Sequence, residues 1–126
     1  MKPPRKTAAT RGRAPGADAL PAPPLKFREF VARFPLLARA WEVLHDAGAE
    51  GPLEARTIRL AKFAVAIGAG REGAVRASVR KAVAAGVTLA ELEQVIALSA
   101  ATIGMPAAVA AFSWSRDALA SPPRTE

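Results

Sequence analysis

Residues 51–114 read GPLEARTIRLAKFAVAIGAGREGAVRASVRKAVAAGVTLAELEQVIALSAATIGMPAAVAAFSW, and this stretch decides the fold. Its apolar residues recur at helical rather than strand spacing, and it is divided by glycine and proline. Pro52 suits a first helical position, so a helix is predicted over Leu53–Ile67. From Leu60 to Ala69 only Lys62 is charged, which predicts burial on most sides. Gly68-Ala69-Gly70 loosens the chain before a helix at Glu72–Ala85. Its apolar stripe is Val75, Val79, Ala82 and Val83, while Arg76, Arg80 and Lys81 are predicted to face outward. Glu72 stands four residues before Arg76, the favourable order for an ion pair at a helix start. Gly86 closes this helix, and Thr88-Leu89-Ala90-Glu91 is a capping box that opens the next, Leu89–Ala101. Leu92, Val95, Ile96, Ser99 and Ile103 continue its inner face. After Gly104, Pro106 starts a last helix, with Val109, Phe112 and Leu119 assigned to the core.

Working outward, a helix is predicted over Pro35–Ala47, preceded by a short helical turn at Phe27–Arg33. Leu37, Trp41 and Leu44 recur at helical spacing, and Gly48 is placed as the C-terminal stop. The fold class that follows is all-α, a bundle of five to six helices. Residues 1–24 are rich in Pro, Ala and Arg and aperiodic, which predicts a disordered basic tail. The domain then occupies residues 25–120, and 121–126 form a frayed end.

The 126 residues suffice for one domain. Hydrophobic residues make up 51% but aromatics only 6%, so the apolar content is mostly Ala, Val, Leu and Ile, suited to closely packed helices. Such helices bury little area each, which makes self-association plausible. With no Cys, disulfides, Cys–zinc sites and thiol nucleophiles are excluded, and the single His45 precludes a His-rich metal cluster. Of the net charge of +7, Lys2, Arg5, Lys6, Arg11 and Arg13 against Asp18 place +4 in the tail. The tail can touch nucleic acid weakly, or serve only as a solubilising leader. The uncharged run Val95–Ser115 is long enough to span a bilayer, yet its Ser, Thr, Gly and Pro content fits two helices joined at Gly104-Met105-Pro106 better. A cytoplasmic protein without membrane contact is expected.

Arg71, Ala74, Ser78 and Ala82 fall near one face of the third long helix, and Glu72 opens the same turn. One reading is a small polar pocket with Arg71 anchoring an anion, Glu72 as acid or base and Ser78 as hydrogen-bond donor. The other is a solvated helix start with ordinary ion pairs. Ser78 has no histidine to activate it as a nucleophile. His45 and Asp46 are adjacent on a helix and do not face each other. Trp41 and Trp114 read as core or interface anchors. Ala82-x-x-x-Gly86 with Val87, Leu92 and Val95 roughly fits a helix-turn-helix. The would-be recognition helix, however, carries Glu91 and Glu93 and no basic residue, so phosphate would repel it.

The Gly-Pro-Leu-Glu-Ala-Arg-Thr opening, the Ala66-Ile67-Gly68 link, the junction from Val79 through Thr88 with its Glu91, and the Gly-Met-Pro break together resemble the carboxymuconolactone decarboxylase / alkylhydroperoxidase-D-like family. The resemblance spans Gly51 to Ala120. It implies an orthogonal all-α fold and assembly into trimers, hexamers or related oligomers. It also implies a CxxC followed four residues later by His in the redox branch, positions that fall on Arg71, Ala74 and Ser78 here. None matches. The decarboxylase branch uses acidic and histidine residues in this region, and Ala74 and Ser78 do not fit it either. Glu72 and Arg71, with Ser78, are the candidates that remain. The expectation is a homo-oligomer with the thiol peroxidase site lost, needing no cofactor and no metal, that binds a small anionic ligand or serves assembly. The competing expectation is a cysteine-independent enzyme acting on a small carboxylated lactone or related acid; a third is nucleic-acid association through residues 1–24.

Overall fold

Six helices and no strand make up the described residues, 23–121, of this computed structural model. They are α1 (Leu25–Arg33), α2 (Pro35–Ala49), α3 (Ala55–Ala69), α4 (Glu72–Ala84), α5 (Leu89–Ile103) and α6 (Met105–Ala120). The expected disorder of the N-terminal tail and fraying of the C-terminus concern residues 1–22 and 122–126, which lie outside the described residues.

The core is built by α3 to α6 alone. Phe63, Ala66 and Ile67 of α3 meet Val75, Val79 and Ala82 of α4, with Val87 from the turn, Leu92 and Ile96 of α5, and Ala108 and Ala111 of α6. Neither α1 nor α2 buries any residue; they pack on each other, with the Phe27 and Trp41 rings 5.6 Å apart. The short turn expected at Phe27–Arg33 is thus a nine-residue helix.

Local chemistry explains where the core helices end. At the α3 terminus Gly70 has φ 68°, its N–H donates to the Ile67 carbonyl at 3.0 Å, and Arg71 N–H donates to Ala66 at 3.4 Å. At the α4 terminus Gly86 has φ 93°, with Gly86 N–H on Val83 and Val87 N–H on Ala82, both at 3.0 Å. Both ends are Schellman motifs, whose left-handed residue disfavours any side chain. The second also drops Val87 into the core against Ala82. The α5 start is the expected capping box: Glu91 N–H donates to Thr88 Oγ1 at 3.2 Å, and Thr88 N–H donates to Glu91 Oε1 at 2.8 Å.

Several expectations are corrected. α2 runs through Gly48 to Ala49, because the reversal is made at Gly51, with φ 138°. α3 starts at Ala55 rather than Leu53: Pro52 lies in the connection, and extended Glu54 is the N-cap, its carboxylate accepting from the Thr57 hydroxyl at 3.3 Å. α6 begins at Met105, with Pro106 behind it. α3 is buried on one face only; Ala61, Ala64 and Ala69 are exposed and Val65 is 70% exposed. Val83 lies outside the α4 core stripe, at 42% exposure.

The largest correction concerns α6. Val109, Phe112 and Leu119 are exposed, and the buried positions are Ala108, Ala111, Ser115 and Ala118. Small residues let α6 approach its neighbours closely, so the small stripe faces the core and the bulky stripe is displaced roughly 100° around the helix.

Candidate functional site

Arg71 is the N-cap of α4, in extended conformation and exposed. Glu72 is the first helical residue, where a carboxylate complements the positive helix end. It accepts from Arg76 Nε at 2.9 Å, and Arg76 Nη2 lies 3.7 Å from Asp117 Oδ2 on α6. The three side chains form a line of alternating charge from the α4 start to α6, with both acids more than half exposed. Ala74 is exposed, and Ser78, two turns into the helix, is half-buried. Arg71 and Glu72 are therefore neighbours at the α4 start, whereas Ser78 stands about 9–10 Å further along the axis by helical rise.

His45 Nδ1 donates to the Trp41 carbonyl one turn earlier at 3.1 Å, and its ring meets the Trp41 ring edge-on at 4.6 Å. These contacts hold His45 on α2. Trp114 packs against the core, while Trp41 is 47% exposed beside Phe27.

Two charge arrangements were not visible in the sequence. The first is Arg56 of α3, which donates to Glu91 of α5. Glu91 thereby serves the ion pair and the Thr88 cap at once. The Arg56 hydrogen bond, followed by those from Thr88, holds its carboxyl down to about 2. Glu93, the other acid of α5, faces Arg116 of α6 at 3.9 Å. The acids that disqualified a DNA-reading helix are thus engaged with arginines of neighbouring helices.

The second arrangement lies where α3 and α4 pack. Arg59 and Lys81 are half-buried rather than solvated, which corrects the outward placement of Lys81. Burial pushes the Arg59 guanidinium below its usual value. Lys81 is pushed down first by burial and then by the charges of Arg59 and Lys62. No ion pair with a described carboxylate relieves these three cations. Arg80, also expected outward, is half-buried, and its Nε has no hydrogen-bond partner among the described residues. The missing signal was tertiary: the sequence shows each basic residue, but not that α3 and α4 bring three of them together.

Among the described residues, no group of three His, Cys, Asp or Glu side chains could hold a metal ion. No helix there is long and apolar enough to cross a membrane. Neither the curated proteins nor the solved structures yield a match. A family model does match: that of the carboxymuconolactone decarboxylase family covers residues 35–117. The match takes in α2 as well as the region from Gly51 onward that carries the resemblance. Since this model matches two thirds of its length, the chain belongs to the carboxymuconolactone decarboxylase family.

Proposed function

We propose that this chain is a non-redox member of its family, a cytoplasmic homo-oligomer, trimeric or hexameric, that holds a small anionic molecule without thiol chemistry. The observation that carries the reading is the outward stripe of α6. Met105 is 65% exposed and Val109 55%, and Phe112 and Leu119 continue the same side of the helix. A monomer that leaves such a bulky stripe exposed while burying the alanines of the adjoining stripe has its larger hydrophobic gain still to make. Leu36, Val43 and Leu44 of α2 add exposed apolar surface elsewhere. The non-redox reading rests on composition, since the sequence holds no Cys, and the family resemblance sets Arg71, Ala74 and Ser78 at the positions of the redox motif. The Glu72–Arg76–Asp117 line fits a structural role for Glu72, because its carboxylate is already engaged by Arg76.

Light scattering coupled to size exclusion tests the assembly: the expected mass at micromolar concentration is three or six chains, and a monomer would overturn it. Alkylhydroperoxide turnover with a dithiol donor is expected at the buffer blank; turnover above it that survives metal removal would overturn the non-redox reading.

A further inference from the structure

Arg59, Lys62 and Lys81 come together through the topology of the α3–α4 hairpin. The helices are joined by the two-residue turn Gly70-Arg71. Arg59 and Lys62 lie eight to eleven residues before that turn and Lys81 ten after it, so all three stand at similar distances from the turn on two helices that pack on each other. Arg59 and Lys62 are three residues apart, hence on one side of α3, to the same side of Phe63, which is buried in the core with Val75 and Val79 of α4. Ser78 lies three residues before Lys81, one turn away on the same side of α4, and is half-buried.

Taking charge out of water is costly unless an opposite charge compensates it. Here two of three neighbouring cations are half-buried, and no described carboxylate pairs with any of them. The mutual repulsion agrees with this placement, since Arg59 and Lys62 both weigh against the charged form of Lys81. The chain's own tail is a poor counter-ion, because residues 1–24 carry a net positive charge. A guanidinium fork beside two ammonium groups is the donor set that recognises an oxyanion bearing two charges.

We propose that Arg59, Lys62 and Lys81 form a binding site for a small dianion, a phosphate or a dicarboxylate, with Ser78 as an additional hydrogen-bond donor. The inference rests on the ligand-holding part of the proposed function and moves the anchor away from Arg71, which stands about 15 Å from Lys81 along α4 by helical rise. Arg59 offers two parallel N–H groups to one pair of oxygens, and the lysines neutralise the remaining charge.

The test is a thermal-shift titration of the full chain with inorganic phosphate and, separately, malonate, against sodium chloride at matched ionic strength. Phosphate, malonate or both should raise the melting temperature saturably, and the stronger response identifies which oxyanion the site prefers. Arg59→Gln and Lys81→Gln should each weaken the responding anion at least about tenfold, the usual scale for a charge-assisted hydrogen bond. Arg71→Gln should leave its affinity unchanged. At low ionic strength without ligand, Lys81→Gln should melt above the parent, because a repulsive charge is gone. Lys62 is exposed, so Lys62→Gln carries the test if a half-buried variant fails to fold: weakened binding supports the site, and parental affinity overturns it. Responses to both anions no larger than to chloride, or parental affinity in Arg59→Gln and Lys81→Gln, would also overturn it. A monomer that binds phosphate through Arg59 and Lys81 would break the assembly reading alone. An oligomer that answers neither anion would break this inference alone.

Discussion

α3 to α6 and α1–α2 contain similar proportions of apolar residues but use them in opposite ways. In α3 to α6, Phe63, Leu92, Val75 and Val79 are fully buried, and alanines fill the close approaches around them. In α1 and α2 and at the Phe34 that joins them, Phe30, Phe34, Leu36, Trp41 and Leu44 all remain substantially exposed, and neither helix holds a buried residue. The difference teaches that apolar periodicity predicts a helix but does not say which helix owns a core. Two helices alone cannot enclose a side chain, whereas four can.

The contrast should be sharpest for Phe63→Ala, which removes the largest fully buried side chain and should destabilise the fold by about 3–5 kcal/mol in denaturant unfolding. A loss below about 1 kcal/mol would mean that the core is not centred on α3. The Arg56–Glu91 link ties α3 to α5 and should appear in the pH dependence. Glu91 sits at about 2 in the folded chain, below the ordinary glutamate value of 4.5. A depressed carboxyl stabilises the fold above its unfolded value and loses that contribution as pH falls through the folded one. Glu91→Gln should therefore lower the melting temperature at neutral pH, and its gap from the parent should close between about pH 5 and pH 2. A gap constant across that window would detach Glu91 from stability. The smallest effect is expected in α2, where Leu44→Ala should change unfolding of the core by no more than about 0.5 kcal/mol, as for surface positions generally. A core-sized loss would show that α2 is packed on α3 to α6 after all.

What could be read from the sequence followed how local its cause was. The Thr88–Glu91 box and the Gly86 stop involve residues three to five apart, so their chemistry is complete within the quoted stretch. Gly48 and Pro52 misled because each was compatible with a helix boundary, while the boundaries were set by Gly51 and Glu54. The α6 register misled because size was taken as a sign of burial, although close helix packing favoured the alanines. The candidate site was legible only in part. Arg71, Glu72 and Ser78 could be placed on α4 from spacing, and the absence of a redox motif was plain. The convergence of Arg59, Lys62 and Lys81 depends on hairpin pairing, and no single helix displays it.

The central claim is that α6 carries two apolar stripes, a small one spent on the core and a bulky one left for another copy of the chain. Light scattering and circular dichroism on Phe112→Glu, set beside Ala111→Glu, test it most directly. Phe112→Glu should keep the parental helical signal and reduce the mass to that of smaller species, while Ala111→Glu, which places a charge at a position 1% exposed, should lose the helical fold. A folded Ala111→Glu together with an unfolded Phe112→Glu would reverse the register and contradict the claim.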